Sequence, residues 1–159
     1  MCLYYSPQST GNVRRQFNKQ AHLPKHLRKI TCLKYLSITE EKTVQSPSFF
    51  NIKTKWKIGW VKSSRYGLSI MQDDLDKHTT TYGKTISRGI HVYLTSSINA
   101  AYKYIPFINI ANKIGYLKVL CYEKDFVGAG DGEAVFTKVF VTKKHWNEFC
   151  REYKINGVK

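Results

Sequence analysis

His91 stands among apolar neighbours in Gly89-Ile-His-Val-Tyr-Leu-Thr95. An imidazole titrates near neutral pH, so on a strand it serves either as an acid or base or as a hydrogen-bonded, half-buried group. The apolar setting favours the second role. Further on, Asp125-Phe-Val-Gly-Ala-Gly-Asp-Gly-Glu133 is a glycine-rich run whose backbone N–H groups could nest a phosphate. No helix pattern follows it, and the Gly-Lys-Ser/Thr ending of a P-loop is missing. Its carboxylates oppose phosphate unless a divalent cation bridges them. A flexible hairpin connection is therefore the expected structure. Cys2, Cys32, Cys121 and Cys150 form no Cys-x-x-Cys pair and match no zinc spacing. Cys32, Cys121 and Cys150 fall on apolar positions, as reduced buried thiols do in an intracellular protein. His22 and His26 are separated by a turn's length, but Pro24 lies between them and disfavours a helical metal pair. We expect no metal site.

The third chemistry is electrostatic. Over 159 residues, 26 Lys and Arg face 11 Asp and Glu, a net charge of +15. The excess is segregated. No acid precedes Glu40, a stretch holding Arg14, Arg15, Lys19, Lys25, Arg28, Lys29 and Lys34. From Lys42 to Gln72 there is again none, against Lys42, Lys53, Lys55, Lys57, Lys62 and Arg65. The acids gather in knots: Glu40 and Glu41; Asp73, Asp74 and Asp76; Glu123, Asp125, Asp131 and Glu133. Such segregation points to phosphate binding with counterion release. The candidate phosphate-binding residues are Arg14, Arg15, Lys19, Lys25, Arg28, Lys29, Lys53, Lys55, Lys57, Lys62 and Arg65. Tyr4, Tyr5 and Tyr66 are the candidate base-stacking rings, while Trp56 and Trp60 read as core. No helix-turn-helix, zinc-finger or RNP-type aromatic motif is present, so DNA, RNA and an acidic protein surface all stay open as partners.

The elements that must position these groups make an α+β fold. We expect a mainly antiparallel sheet of about five strands with two or three short helices. Residues 1–30 read as an irregular basic region, with a short helix possible after Pro24, and residues 31–159 as a single α+β domain. The strands are expected at 31–38, 55–62, 89–95, 116–123 and 134–142. In the second, Trp56, Ile58 and Trp60 share a core face and Lys55 and Lys57 the opposite, cationic one. A helix capped by Ser96 or Ser97 runs to about Tyr104. The last helix starts at a Thr142 cap, packs Trp146, Phe149, Cys150 and Tyr153 on the sheet, and stops before Gly157. A 42% apolar and 14% aromatic composition excludes a disordered polycation. The longest apolar run is far too short for a membrane helix, so no membrane partner is expected. No charged segment followed by an apolar stretch opens the chain, so no secretory leader is expected.

The segment from Tyr82 to Tyr104 carries a resemblance. Its Tyr82, Gly83, Gly89, Ile90, His91, Ala101 and Tyr104 match a Tyr-x-x-Gly … Gly-Ile-His-Phe-Phe … Ala-x-x-Tyr pattern. That pattern resembles an uncharacterised domain found after pentapeptide repeats in proteins of large DNA viruses and phages. The resemblance covers about the central third of the chain. It implies a viral or phage origin and no particular activity. This chain has no pentapeptide repeats and lacks the Cys that often precedes the Gly in that family. A second, local similarity is to ADP-ribosyltransferases. Tyr93-Leu-Thr-Ser-Ser97 followed by Ala-Ala-Tyr looks like their middle motif, and Asp131-Gly-Glu133 like their last. This implies Glu133 stabilising an oxocarbenium-like ribose as nicotinamide leaves, with Thr95, Ser96 and Ser97 holding the pocket. Tyr93 and His91 are the further catalytic candidates under that reading. The family's first motif, an early-strand Arg or His, is not identifiable; Lys34 and Arg65 are the basic candidates for its place.

The leading expectation is a small basic viral or phage protein, non-enzymatic, that binds nucleic acid or another polyanion through phosphate contacts. It needs no cofactor. The alternatives are an ADP-ribosyltransferase-like NAD-binding protein, active or degenerate, and a virion component or antagonist of a host protein complex. The expected location is intracellular, in host cytoplasm or nucleus, or in the virion.

Overall fold

A computed structural model of the chain describes residues 3–45, 54–63, 67–71, 83–94, 113–130 and 132–155. Every strand pairing in it is antiparallel. Among the described residues eleven strands form two sheets, where about five strands were expected. The small sheet has the order β1 (Leu3–Tyr4), β6 (Gly83–Arg88), β5 (Gly67–Met71). The large one has the order β4 (Gly59–Lys62), β11 (Lys138–Val141), β8 (Lys113–Tyr122), β2 (Lys29–Ile38), β7 (Ile90–Leu94), β10 (Glu133–Phe136), β9 (Phe126–Gly130). The short β3 (Val44–Gln45) pairs with the end of β2. Two of the extra strands come from bends. β6 and β7 are separated by Gly89 alone, and β10 and β11 by Thr137 alone. Each bend passes the chain to a new set of partners.

The pairing β2–β8 runs the full length of both strands, from Lys29↔Tyr122 to Ile38↔Lys113. Cross-strand partners share a face, so the register sorts side chains. One face carries Cys32, Leu36, Leu117, Val119, Cys121, Val139, Val61, Val92, Ala134 and Phe136, all buried. The two α-helices among the described residues pack on this face. Cys32, Cys121 and Cys150 are free, buried thiols, and burial with Cys32 alongside pushes the Cys121 thiol well up.

The N-terminal region is not irregular. Pro7–Asn18 is helix α1, capped by Ser6, whose Oγ accepts from the Ser9 N–H at 3.1 Å. Pro7 fits the first turn, where its missing N–H costs nothing. Thr10, Val13 and Phe17 are buried at helical spacing. Thr10 Oγ1 exchanges hydrogen bonds with the Ala129 carbonyl and N–H at 3.2 and 3.0 Å, which pins α1 to β9. Phe17 meets Phe126 and Phe136. The segment Gln-Ser-Thr-Gly-Asn is poor in helix formers, so packing decides what propensity does not. After Pro24 the expected short helix is a single 3-10 turn, Lys25–Leu27.

The last helix, α2 (Lys143–Tyr153), begins where expected. Thr142 Oγ1 accepts from the His145 N–H at 3.1 Å. Phe149 and Cys150 are buried, with Trp146 and Tyr153 packed against the same core. It ends earlier than the Gly157 signal, at Lys154 in the left-handed conformation, with Ile155 folding back on the core. The glycine-rich run is not a flexible connection: Phe126–Gly130 is strand β9, paired with β10. The expected helix after Ser96, together with Thr95, Ser96, Ser97, Asp131, Lys53, Arg65, Tyr66 and Cys2, lies outside the described residues. No helix among the described residues is long and apolar enough to cross a membrane.

Candidate nucleic-acid interface

The expected strand 55–62 begins only at Gly59, and this changes which side its residues face. Gly59 has φ +103°, a conformation that side chains other than hydrogen rarely adopt. The alternation that would place Trp56, Ile58 and Trp60 on one core face is already broken between Trp56 and Ile58. Trp56 is buried, but Ile58 and Trp60 are exposed, Trp60 to 36%. Lys55 and Lys57 remain exposed in the segment before the strand. Val61, not Trp60, enters the core.

Trp60 lies on the outer face of β4, β11, β8 and β2. The register fixes its companions: Trp60↔Phe140, Phe140↔Leu120, Leu120↔Thr31 and Tyr122↔Lys29. Lys62↔Lys138 and Leu33↔Lys118 extend the same face. The Trp60 ring centroid is 5.2 Å from Phe140 and 5.4 Å from Tyr122. Lys138 Nζ stands 4.3 Å and Lys124 Nζ 5.4 Å from the Trp60 centroid, and Lys29 Nζ is 5.9 Å from that of Tyr122. At these distances a cation is drawn to the negative face of the ring. The outcome is an aromatic centre ringed by Lys29, Lys62, Lys118, Lys124 and Lys138. No carboxylate occupies these outer-face strand positions. Asp125, close enough to Lys124 and Lys138 to feel their charge, is buried, and burial raises its carboxyl above the usual range against their pull.

Of the residues expected to hold phosphate, Lys29 and Lys62 belong to this face. Arg14 and Arg15 are exposed on α1 and Lys19 at its C-cap, and Arg14 lies 5.3 Å over the Phe126 ring. Lys25 is exposed in the 3-10 turn. Arg28 is committed elsewhere: its Nη1 donates to Glu123 Oε2 at 3.2 Å, with both side chains largely buried. Tyr5, expected as a stacking ring, instead packs against Ile86 and Val135. Lys118, Lys124, Lys138, Tyr122 and Phe140 were missed as site residues. Their signal was the spacing of Lys118, Leu120 and Tyr122 and of Lys138 and Phe140 at intervals of two.

The other half of the same outer face is covered. Beyond Leu33, β2 is buried on both sides, and Tyr35 packs its ring 4.5 Å from Tyr93 and 4.8 Å from Tyr116. Here the catalytic candidates meet in part. Glu133 pairs directly with Tyr93 across β7–β10, and its Oε1 lies 3.1 Å from His91 Nδ1. Both side chains are mostly buried, so Glu133 is engaged in a structural contact with His91. Lys34 lies just past the point where the β2–β7 pairing ends at Leu33↔Tyr93. Its Nζ donates to the His91 carbonyl at 2.8 Å and stands 5.9 Å from the Trp56 centroid. Burial lowers the Lys34 ammonium to about 8, although Glu133 opposes the shift. Lys34 is thus a core group and not a surface phosphate ligand. Among the described residues, no three His, Cys, Asp or Glu side chains cluster as a metal site would require. Comparison with family models, with curated proteins and with solved structures finds no match, so the chemistry is read from the site itself.

Proposed function

We propose that this protein binds nucleic acid through phosphate contacts made by the outer face of β4, β11, β8 and β2. One observation carries the reading: Lys29, Lys62, Lys118, Lys124 and Lys138 surround the exposed Trp60 ring and the half-buried Phe140 and Tyr122 rings, on a face without a carboxylate at its strand positions. Lysine ammonium groups at a strand surface neutralise phosphates as point charges and carry no sequence readout. The exposed Arg14 and Arg15 of α1 and Lys19 at its C-cap add to the long-range field. Salt titration tests it. If four or five phosphates are neutralised, log affinity falls against log salt with a slope of roughly −3 to −4.5. Replacing Lys118 and Lys138 together by Ala should weaken binding and flatten that slope by roughly 1.5. A slope near zero, or no binding to any nucleic acid at low salt, refutes the reading.

A second reading rests on the meeting of Tyr93, His91 and Glu133 on one face. In an ADP-ribosyltransferase-like protein, Glu133 would act on NAD beside that tyrosine. NAD hydrolysis abolished in Glu133→Gln would support it, and its absence from the wild-type protein would end it.

A further inference from the structure

We infer that the ligand of this face is a single-stranded nucleic acid, one base of which stacks on Trp60. This rests on the phosphate-binding reading and deepens it. Phosphate contacts alone need only lysines. They do not account for a tryptophan placed on the exposed side of an edge strand, in the midst of those lysines.

The geometry favours a stacking role over a packing one. Trp60 is 36% exposed although its neighbour Val61 is buried. It is braced from below and beside by Phe140 and Tyr122, whose rings are inclined to it by 72° and 48°. These inclined neighbours support the indole without stacking on it. Its partners at ring-face distance are the Lys138 and Lys124 ammonium groups, on flexible stems. An arriving base can take that place while the ammonium groups move to the flanking phosphates. The charge exchange is favourable, because each ammonium trades a ring quadrupole for a full negative charge.

The exposed indole selects the strand state. In a duplex the bases are stacked on each other, and an edge-strand indole reaches only the sugar-phosphate surface. In a single strand the π faces are available, and aromatic rings on a cationic sheet bind them with little regard for sequence. Lys29 beside Tyr122 at one side and Lys62 beside Lys138 at the other give the backbone a track across β2, β8, β11 and β4. The absence of a recognised sequence-reading motif is consistent with a site that holds bases by their faces.

The experiment compares a labelled thymidine 20-mer with a duplex of the same length, by fluorescence anisotropy of the full chain at matched salt. The single strand should bind at least about tenfold tighter than the duplex. Trp60→Ala should lose about 5- to 100-fold on the single strand, the size of one base–aromatic stack. Trp60→Phe should recover most of the loss, which separates stacking from damage to the fold. The salt slope should be the same for wild type and Trp60→Ala, since no phosphate contact is removed. Equal binding of duplex and single strand, or a Trp60→Ala affinity within twofold of wild type, overturns the stacking inference and leaves the phosphate reading standing. Failure of both nucleic acids to bind at low salt overturns both.

Discussion

Replacing Lys34 by Met tests whether the ammonium is held inside the core. Met preserves the length of the side chain and removes the charge. Lys34 is 6% exposed, and its ammonium titrates at about 8 instead of 10.5, chiefly because burial disfavours the charged form. The folded value lies below the unfolded one. Between them the unfolded chain binds the extra proton, so the stability contributed by Lys34 rises with pH across that window. Below the folded value both states are charged and the penalty is constant. The full shift corresponds to about 3 kcal/mol, and about 2 kcal/mol of it is recovered on going from about pH 7 to about pH 9.5. Other groups titrate here too; the Cys121 and Tyr153 protons are both held more tightly on folding. They are common to both proteins and cancel in the difference. Urea denaturation of wild type and Lys34→Met at several pH values therefore reads Lys34 alone. Wild type should gain on the variant by about 2 kcal/mol over that range. A difference that stays constant with pH would show that the ammonium reaches solvent, and the buried site beside His91 would be wrong.

Three further outcomes follow from the packing. Phe17→Ala should cost about 3 to 5 kcal/mol in denaturant unfolding, because the ring is fully buried against Phe126 and Phe136; a loss under about 1 kcal/mol would make α1 a peripheral arm. Thr142→Ala should cost about 1 kcal/mol by removing the α2 cap, with Thr142→Ser close to wild type in thermal melts. Gly115→Ala should destabilise by about 1 to 3 kcal/mol, since its methyl would stand 2.8 Å from both Ile38 Cδ1 and Phe149 Cε2; neutral behaviour in the same melts would refute the close approach of α2 to β8.

Much of the scaffold was legible. The apolar stripe of Trp146, Phe149, Cys150 and Tyr153 and the Thr142 cap are local signals, and α2 follows them. The strands β2, β7 and β8 fall close to the expected runs because their core faces are set by residues two apart. Helix α1 was not legible, because Ser, Thr, Gly and Asn are weak helix formers and its stability comes from Thr10, Val13 and Phe17 docking on β9 and the core. Strand β9 was hidden by its glycines, which permit a loop and are buried here as a paired strand.

By itself the sequence determined the class of fold, the cationic excess and the sites of the carboxylate knots, since each depends on residue type and short-range order. It did not determine which lysines act together. Lys29, Lys62, Lys118, Lys124 and Lys138 come from four separate stretches; antiparallel register places four of them on one face, and the turn after β8 brings Lys124 over Trp60. The same holds for Lys34, which belongs to the acid-free N-terminal stretch by sequence and to the core by structure. The start of β4 shows the reason. Pairing with β11 sets Trp60 outward beside Phe140 and Val61 inward beside Val139. Period-two alternation fixes which residues share a side, but tertiary packing decides which side is covered.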